Sequence, residues 1–434
     1  MGNASDMDRR EQRRKRRIRN MVISYLVLIL VFALIVLGAL WGWRKYQSQF
    51  DKEVSETVQD QVEDLLQSEE PLEYVESAEV VPELTPEEKL DEIIDTVIAA
   101  MPLEDRVAGL FVVRPESITG VSTAVQAAEG TQKALEQYAV GGIIYFAKNI
   151  QSGQQITEMI HNTRAYSKYP LFIAVDEEGG TVSRVADKGL AERVDSAEKI
   201  GQSQDPANAY HAGQTIGSYL SALGFDLNFA PVADLANVEN SVMKARAYGA
   251  QAALVQPYVT FMMSGLEESG VTACVKHFPG LGSTAADTHT GLAVSKRTAE
   301  EFRTEEFLVF RAAIDAGAKM IMVGHMAAPS LTGDNTPASM SSILVTDILR
   351  DEMGFEGVII TDGMEMAAIS QYYSAEDAAI MALKAGCDMI LLPDDFEEAY
   401  RGVLKAVEES IISEERINDS LKRIYRIKLA GQVE

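Results

Sequence analysis

The chain has 434 residues, 47% of them hydrophobic, with 65 Asp and Glu against 39 Lys and Arg for a formal charge of −26. That length carries one large core or two ordinary ones, and the acidity excludes a polyphosphate-binding surface, so no nucleic-acid partner is expected. Two cysteines are too few for a disulfide-built scaffold.

Eight basic residues fall within the first twenty: Arg9, Arg10, Arg13, Arg14, Lys15, Arg16, Arg17 and Arg19. Residues 21–43 follow as an unbroken, uncharged run of 23, MVISYLVLILVFALIVLGALWGW. As a helix it would measure about 34 Å against a hydrocarbon layer of about 30 Å. It is longer than the apolar part of a signal peptide, and Trp41 and Trp43 have the character of interfacial anchors. The flanking charge predicts a single-pass segment in a bacterial cell membrane, with residues 1–20 cytoplasmic and everything after the span extracellular. Residues 44–84 are acidic and glycine-free, which predicts a stalk, partly helical or disordered. The folded domain is expected over 85–434. It starts at Thr85, where T-P-E-E supplies an N-cap, a first-turn proline and an acid at the third helical position.

From there the chain alternates. Short apolar runs occur at 109–113, 141–146, 171–175, 225–232, 271–275, 319–324, 357–361 and 388–392, and most intervals between them have helical spacing and many alanines. Eight buried strands alternating with helices predict an α/β fold, a (β/α)8 TIM-type barrel forming a single catalytic domain. A doubly wound sheet would show a glycine-rich phosphate turn after an early strand, and none is present. Cys274 and Cys387 are expected in the fifth and eighth strands, too far apart around a closed barrel to bridge, and are expected as buried small hydrophobes.

In such a barrel the chemistry gathers where strands end. The third run is followed by Asp176, Glu177, Glu178, two glycines and Arg184; the fourth by Asp234 and later Arg246; the fifth by Lys276 and His277; the sixth by His325; the seventh by Asp362. A single such residue could be a helix cap or half of a loop ion pair. Five converging strand ends are harder to explain that way. Lys276 abuts an apolar strand and needs a partner, for which Asp176 is a candidate. Asp362, between IIT and GMEM, should face the barrel mouth as a nucleophile. Beyond the fifth strand, KHFPGLGSTAADTHTGL carries Asp287 and His289 two residues apart. At that spacing in extended chain the carboxylate can hold one imidazole nitrogen and leave the other free to transfer a proton. No Cys and His set has metal-ligand spacing and no cofactor motif occurs, so neither metal nor cofactor is expected.

K-H-F-P-G-x-G followed by D-T-H, together with VDEEGG and ITDGMEM, resembles the β-N-acetylglucosaminidase branch of glycoside hydrolase family 3 over residues 87–430. The resemblance implies a (β/α)8 barrel and removal of terminal N-acetylglucosamine with retention, often from peptidoglycan fragments, through a covalent intermediate. It implies Asp362 as nucleophile and His289, supported by Asp287, as acid/base. It also implies substrate contacts from Asp176, Arg184, Arg246, Lys276 and His277, with His325 as a further active-site histidine. The partner expected is therefore a carbohydrate, and the oligomeric state is not legible. The chain departs from the family pattern at Leu281 and Ser283, where a histidine and an aspartate are usual, and at Thr181, where an arginine is usual. Two other readings fit the same residues. A phosphorylase is one, since a histidine acid does not repel an incoming phosphate. A non-catalytic glycan-binding surface protein is the other.

Overall fold

Each of the eight apolar runs becomes a strand because valine, isoleucine and aromatic side chains pack well on a pleated surface buried from both sides. The computed structural model describes residues 84–430; the basic segment, the apolar run 21–43 and all but the last residue of the expected stalk lie outside them. Among the described residues, no helix is long and apolar enough to cross a membrane.

The barrel strands are β1 (Phe111–Val113), β2 (Gly142–Ile144), β3 (Phe172–Val175), β6 (Leu227–Asn228), β7 (Thr272–Phe278), β8 (Met320–Val323), β9 (Val358–Thr361) and β10 (Ile390–Leu391). They hydrogen-bond in the order β10-β1-β2-β3-β6-β7-β8-β9, every pair parallel. A parallel bridge between Ile360 and Met389 brings the two ends together. The sheet is thus a nearly closed TIM-type barrel and not a doubly wound sheet. A short antiparallel hairpin, β4 (Glu177–Gly179) and β5 (Val182–Ser183), follows β3 directly. Its turn uses Gly179 and Gly180 at positive φ, and a Cβ on Gly180 would fall 2.6 Å from that of Ser196.

Helix α1 (Pro86–Ala100) begins as expected, with Thr85 and Glu88 forming a reciprocal capping box. Its partner is the closing helix, α4 (Glu414–Leu429), where Arg426 pairs with Asp91. Helices α2 (Ala207–Leu223) and α3 (Ala252–Glu268) approach each other through glycine: a Cβ on Gly213 would lie 2.3 Å from the Met262 carbonyl, and one on Gly265 2.3 Å from that of Tyr210. Gly265→Ala is therefore expected to lower thermal stability by about 1–3 kcal/mol through overpacking. A melting temperature unchanged by that substitution would show that the helices can separate at no cost. Both cysteines are free and buried; Cys387 lies just before β10 instead of within it, its Sγ against the Ser339 carbonyl.

Candidate functional site

A cleft of about 240 Å³ opens at the carboxyl ends of the strands and is lined by Asp176, Glu178, Arg184, Arg246, Lys276, His277, Leu281, Asp287, Thr288, His289 and Asp362, among others. A larger cavity of about 970 Å³ lies behind the 236–250 segment, against Tyr248 and Tyr258, and holds none of the expected site residues. Of the nine residues singled out in the sequence, eight meet in the smaller cleft and His325 does not line it.

Strand β7 runs three residues beyond the apolar run, so Lys276 and His277 are strand residues. Adjacent strand residues normally face opposite ways. Here the pairing with β8 shifts register between Lys276 and Phe278, and both side chains line the cleft. Lys276 Nζ donates to Asp176 Oδ1 at 2.8 Å and lies 2.7 Å from Glu178 Oε1. Burial alone would lower the Lys276 pKa, but Asp176 and Glu178 more than offset it and hold the ammonium charged.

Glu178, the middle residue of β4, is the hub of the site, a role that its place in the sequence as one more polar residue after a strand does not reveal. It accepts two hydrogen bonds from Arg246, Nε at 2.8 Å and Nη2 at 2.6 Å, as well as facing Lys276. Lys276 in a strand and Arg246 in the loop after β6 together call for a carboxylate beyond Asp176, and that count is the signal the sequence holds. Burial would raise the Glu178 pKa, yet Lys276 and Arg246 hold it well below the usual carboxylate range. A depressed carboxyl pKa contributes stability that is present above about pH 4 and is lost as the pH falls towards the folded value. Glu178→Gln is accordingly expected to lower stability at pH 7 by up to about 3–5 kcal/mol, less what Asp176 still supplies to Lys276. Its melting temperature should fall less steeply between pH 5 and 3 than that of the parent; parallel curves would deny Glu178 this role.

The neighbouring Glu177 turns inward. Fully buried, it accepts from the amides of Val185 and Ala186 and from the Tyr219 hydroxyl, which fixes the chain immediately after Arg184. Arg184 lines the cleft, and its buried Nε has no hydrogen-bond partner among the described residues.

Asp362 follows β9, its amide bonded to the Val323 carbonyl and its Oδ1 accepting from the Gly363 amide. Burial acts to raise its pKa; His277, His325, the Gly363 amide and Lys276 outweigh that and keep the carboxyl below its ordinary value. His277 Nδ1 lies 2.7 Å from Oδ2 of Asp234, which is wholly buried. His325 sits beneath Asp362, its Nδ1 2.8 Å from Ser339 Oγ and its Nε2 donating to the Gly363 carbonyl at 3.0 Å. Both ring nitrogens are thus engaged within the protein, and its place is that of a support. Burial favours its neutral form, against the pull of Asp362.

On the rim, His289 Nδ1 lies 2.9 Å from Asp287 Oδ1, and the His289 amide donates to the same oxygen. The carboxylate cannot donate, so Nδ1 carries the proton of this bond and Nε2 is left for proton exchange. Burial would raise the Asp287 pKa, but these bonds and the imidazole keep it low. The pair is open to solvent, with side chains 69% and 48% exposed, while Thr288 between them is fully buried. The Thr288 carbonyl accepts from the Ala368 amide, which ties this loop to the segment that follows Asp362. Leu281 is buried in the cleft wall, and Ser283 bonds to the Gly280 carbonyl and to Ser295 Oγ inside the loop root. Among the described residues, no group of carboxylate, imidazole and thiol side chains could hold a metal ion. A carboxylate kept ionised and a rim imidazole kept in one tautomer, lining one cleft, can perform nucleophilic displacement with proton transfer to the departing atom.

Residues 102–427 match the family described as glycosyl hydrolase family 3 N terminal domain. The chain is 38% identical over 266 residues to a beta-hexosaminidase of Nitrosomonas eutropha, covering 60% of this chain and 75% of that one. It resembles the structure of a glycoside hydrolase family 3 beta-N-acetylglucosaminidase from Paenibacillus sp., with TM-score 0.71 and 34% identity, over 77% of this chain but 63% of that one. A beta-N-acetylhexosaminidase from Beutenbergia cavernae is matched over 99% of its length and 76% of this chain, with TM-score 0.68 and 28% identity.

Proposed function

The chain belongs to glycosyl hydrolase family 3 and is a glycoside hydrolase, and from that premise we propose that it removes terminal β-linked N-acetylglucosamine with retention of configuration. One observation carries the reading: a single cleft gathers an ionised carboxylate at the end of β9 and an Asp-supported imidazole on its rim. The relatives named for hexosaminidase and N-acetylglucosaminidase activity support the choice of sugar. At about 240 Å³ the cleft is smaller than the ~300–1,000 Å³ of drug-sized sites, which suits one terminal ring better than an internal stretch of glycan.

In the mechanism, Asp362 attacks the anomeric carbon while His289 Nε2, positioned by Asp287, protonates the departing oxygen. The resulting glycosyl ester is then cleaved by water that His289 deprotonates, which restores the starting configuration. Asp176, Arg184, Arg246, Lys276 and His277 hold the ring hydroxyls and acetamido group. No cofactor enters any of these steps.

The apolar run and basic flank at the N-terminus support a tether that places the barrel outside the cell membrane, where peptidoglycan fragments are the natural supply of N-acetylglucosamine termini. Protease added to intact cells should release the barrel domain; a fully protected domain would sink the tether reading.

The experiment for the activity compares aryl β-N-acetylglucosaminide with aryl β-glucoside on the full chain in detergent, with and without phosphate. Release from the N-acetyl sugar alone and without phosphate is expected. A requirement for phosphate would move the reading to phosphorolysis, and release from neither sugar by folded protein would overturn it.

A further inference from the structure

We infer that Asp234 is a positioning residue shared by both halves of the site, fixing the His277 imidazole inside the cleft and, through the Gly282 amide, the root of the loop that carries Asp287 and His289. Asp234 follows β6 and is fully buried. No Lys or Arg lies within ion-pair distance of it among the described residues; the one basic side chain at that range is His277, at 2.7 Å. A buried carboxylate in that position is costly unless its oxygens are hydrogen-bonded, and each oxygen has one task. Oδ2 accepts from His277 Nδ1, and Oδ1 accepts from the Gly282 amide at 3.3 Å. Because a carboxylate only accepts, the His277 proton is held on Nδ1. His277 Nε2 forms no hydrogen bond with the described residues, and His277 lines the same cleft as Asp362.

The loop root is clamped by the same stretch of chain. Ser241 Oγ donates to the Gly282 carbonyl at 3.0 Å, and a Cβ on Gly282 would fall 2.0 Å from the Leu235 carbonyl. Gly282 is therefore bound at its N–H by Asp234, bound at its C=O by Ser241, and confined in space by Leu235. Five residues beyond it the chain reaches Asp287. One carboxylate thus sets the imidazole beside the nucleophile and the starting point of the rim pair, so that displacing it disturbs both together. Asp234 is buried behind the cleft lining and not part of it; its effect passes through His277 and Gly282.

The kinetic arm of the test rests on the N-acetylglucosaminidase reading, and the spectroscopic arm does not. In the full chain labelled with 15N-histidine, with His277→Gln used to assign the signal, the unliganded His277 imidazole is expected as the Nδ1-protonated tautomer. Asp234→Asn can donate to Nδ1 as well as accept, and should convert His277 partly or wholly to the Nε2-protonated form. The same variant should lower kcat/KM for an aryl β-N-acetylglucosaminide by about 10²-fold or more, counted per folded molecule. A His277 that is Nε2-protonated in the parent, or an Asp234→Asn protein that keeps its tautomer and a kcat/KM within about twofold, would overturn the inference. Should Asp234→Asn fail to fold, Ser241→Ala decides the loop half. It should slow hydrolysis of a poor alkyl leaving group more than that of an activated aryl one, with the His277 tautomer unchanged, and equal effects on both would contradict the shared root. A parent that is inactive yet shows the Nδ1-protonated His277 would sink the proposed activity and leave the placement of Asp234 standing.

Discussion

Asp362→Ala is expected to lower turnover of aryl β-N-acetylglucosaminides by about 10⁴-fold or more without unfolding the barrel, because the substitution removes the carboxylate proposed to form the glycosyl ester. The side chain accepts a hydrogen bond from the Gly363 amide and its charge acts on His277, His325 and Lys276, so the deletion also leaves that amide without its acceptor and removes a negative charge from the cleft. A small anion such as azide could occupy the vacated space and attack the anomeric carbon from the same side. It would remain bonded after one displacement, and the product should be an α-glycosyl azide formed faster than the hydrolysis product. Retained activity above about 1% of the parent, with no azide effect, would remove Asp362 from the role of nucleophile. The depressed carboxyl pKa adds a condition on the parent enzyme. A carboxylate acting as the proposed nucleophile must be ionised, so kcat/KM should hold steady as the pH falls through about 4, the usual range for aspartate, and decline only below it, down to the limit of folding.

His289→Ala should show a different signature. A good aryl leaving group departs without protonation, whereas an alkyl or sugar leaving group needs the acid. The variant is expected to lose about 10²–10⁴-fold in kcat/KM on a disaccharide and far less on an activated aryl glycoside. Because the proposed mechanism has the same imidazole activate water in the second step, the aryl substrate should give a burst of released phenol followed by slow turnover. Asp287→Asn should share the direction with smaller size, since the asparagine can still accept from Nδ1–H but adds no charge. Equal losses on all leaving groups would assign His289 to binding instead of proton transfer. The 69% exposure of its side chain fits a group that must meet solvent water in one half-reaction and a leaving oxygen in the other.

Much of this was legible in the residues. Each of the eight apolar runs holds a barrel strand because strands buried on both faces have no polar side to disguise them. Thr85 and Glu88 declared the first helix by their spacing, and the Asp287–His289 contact is local, set by two residues of separation. What the sequence did not display is pairing over long distances. Glu178 and Arg246 meet across 68 positions, and Asp234 and His277 across 43. Neither contact leaves a periodic mark, so both residues were visible only as polar positions after strands. His325 illustrates the same limit: its position after β8 suggested a side chain in the cleft, while the choice between cleft and underside was made by Ser339 and the Gly363 carbonyl, both remote in sequence. Strand β7 continues past its apolar run through Lys276 and His277 to Phe278, and these polar residues are held in the strand by carboxylates that neutralise and orient them, which the sequence does not place.

The most direct test of the central claim is the mass of the peptide containing Asp362 after the His289→Ala variant is mixed with an activated aryl β-N-acetylglucosaminide. The first step then proceeds and the second stalls, so one N-acetylglucosaminyl group is predicted on the Asp362 carboxylate. An unmodified Asp362 peptide, with the phenol released and the free sugar appearing first as its α-anomer, would contradict a double displacement at this residue.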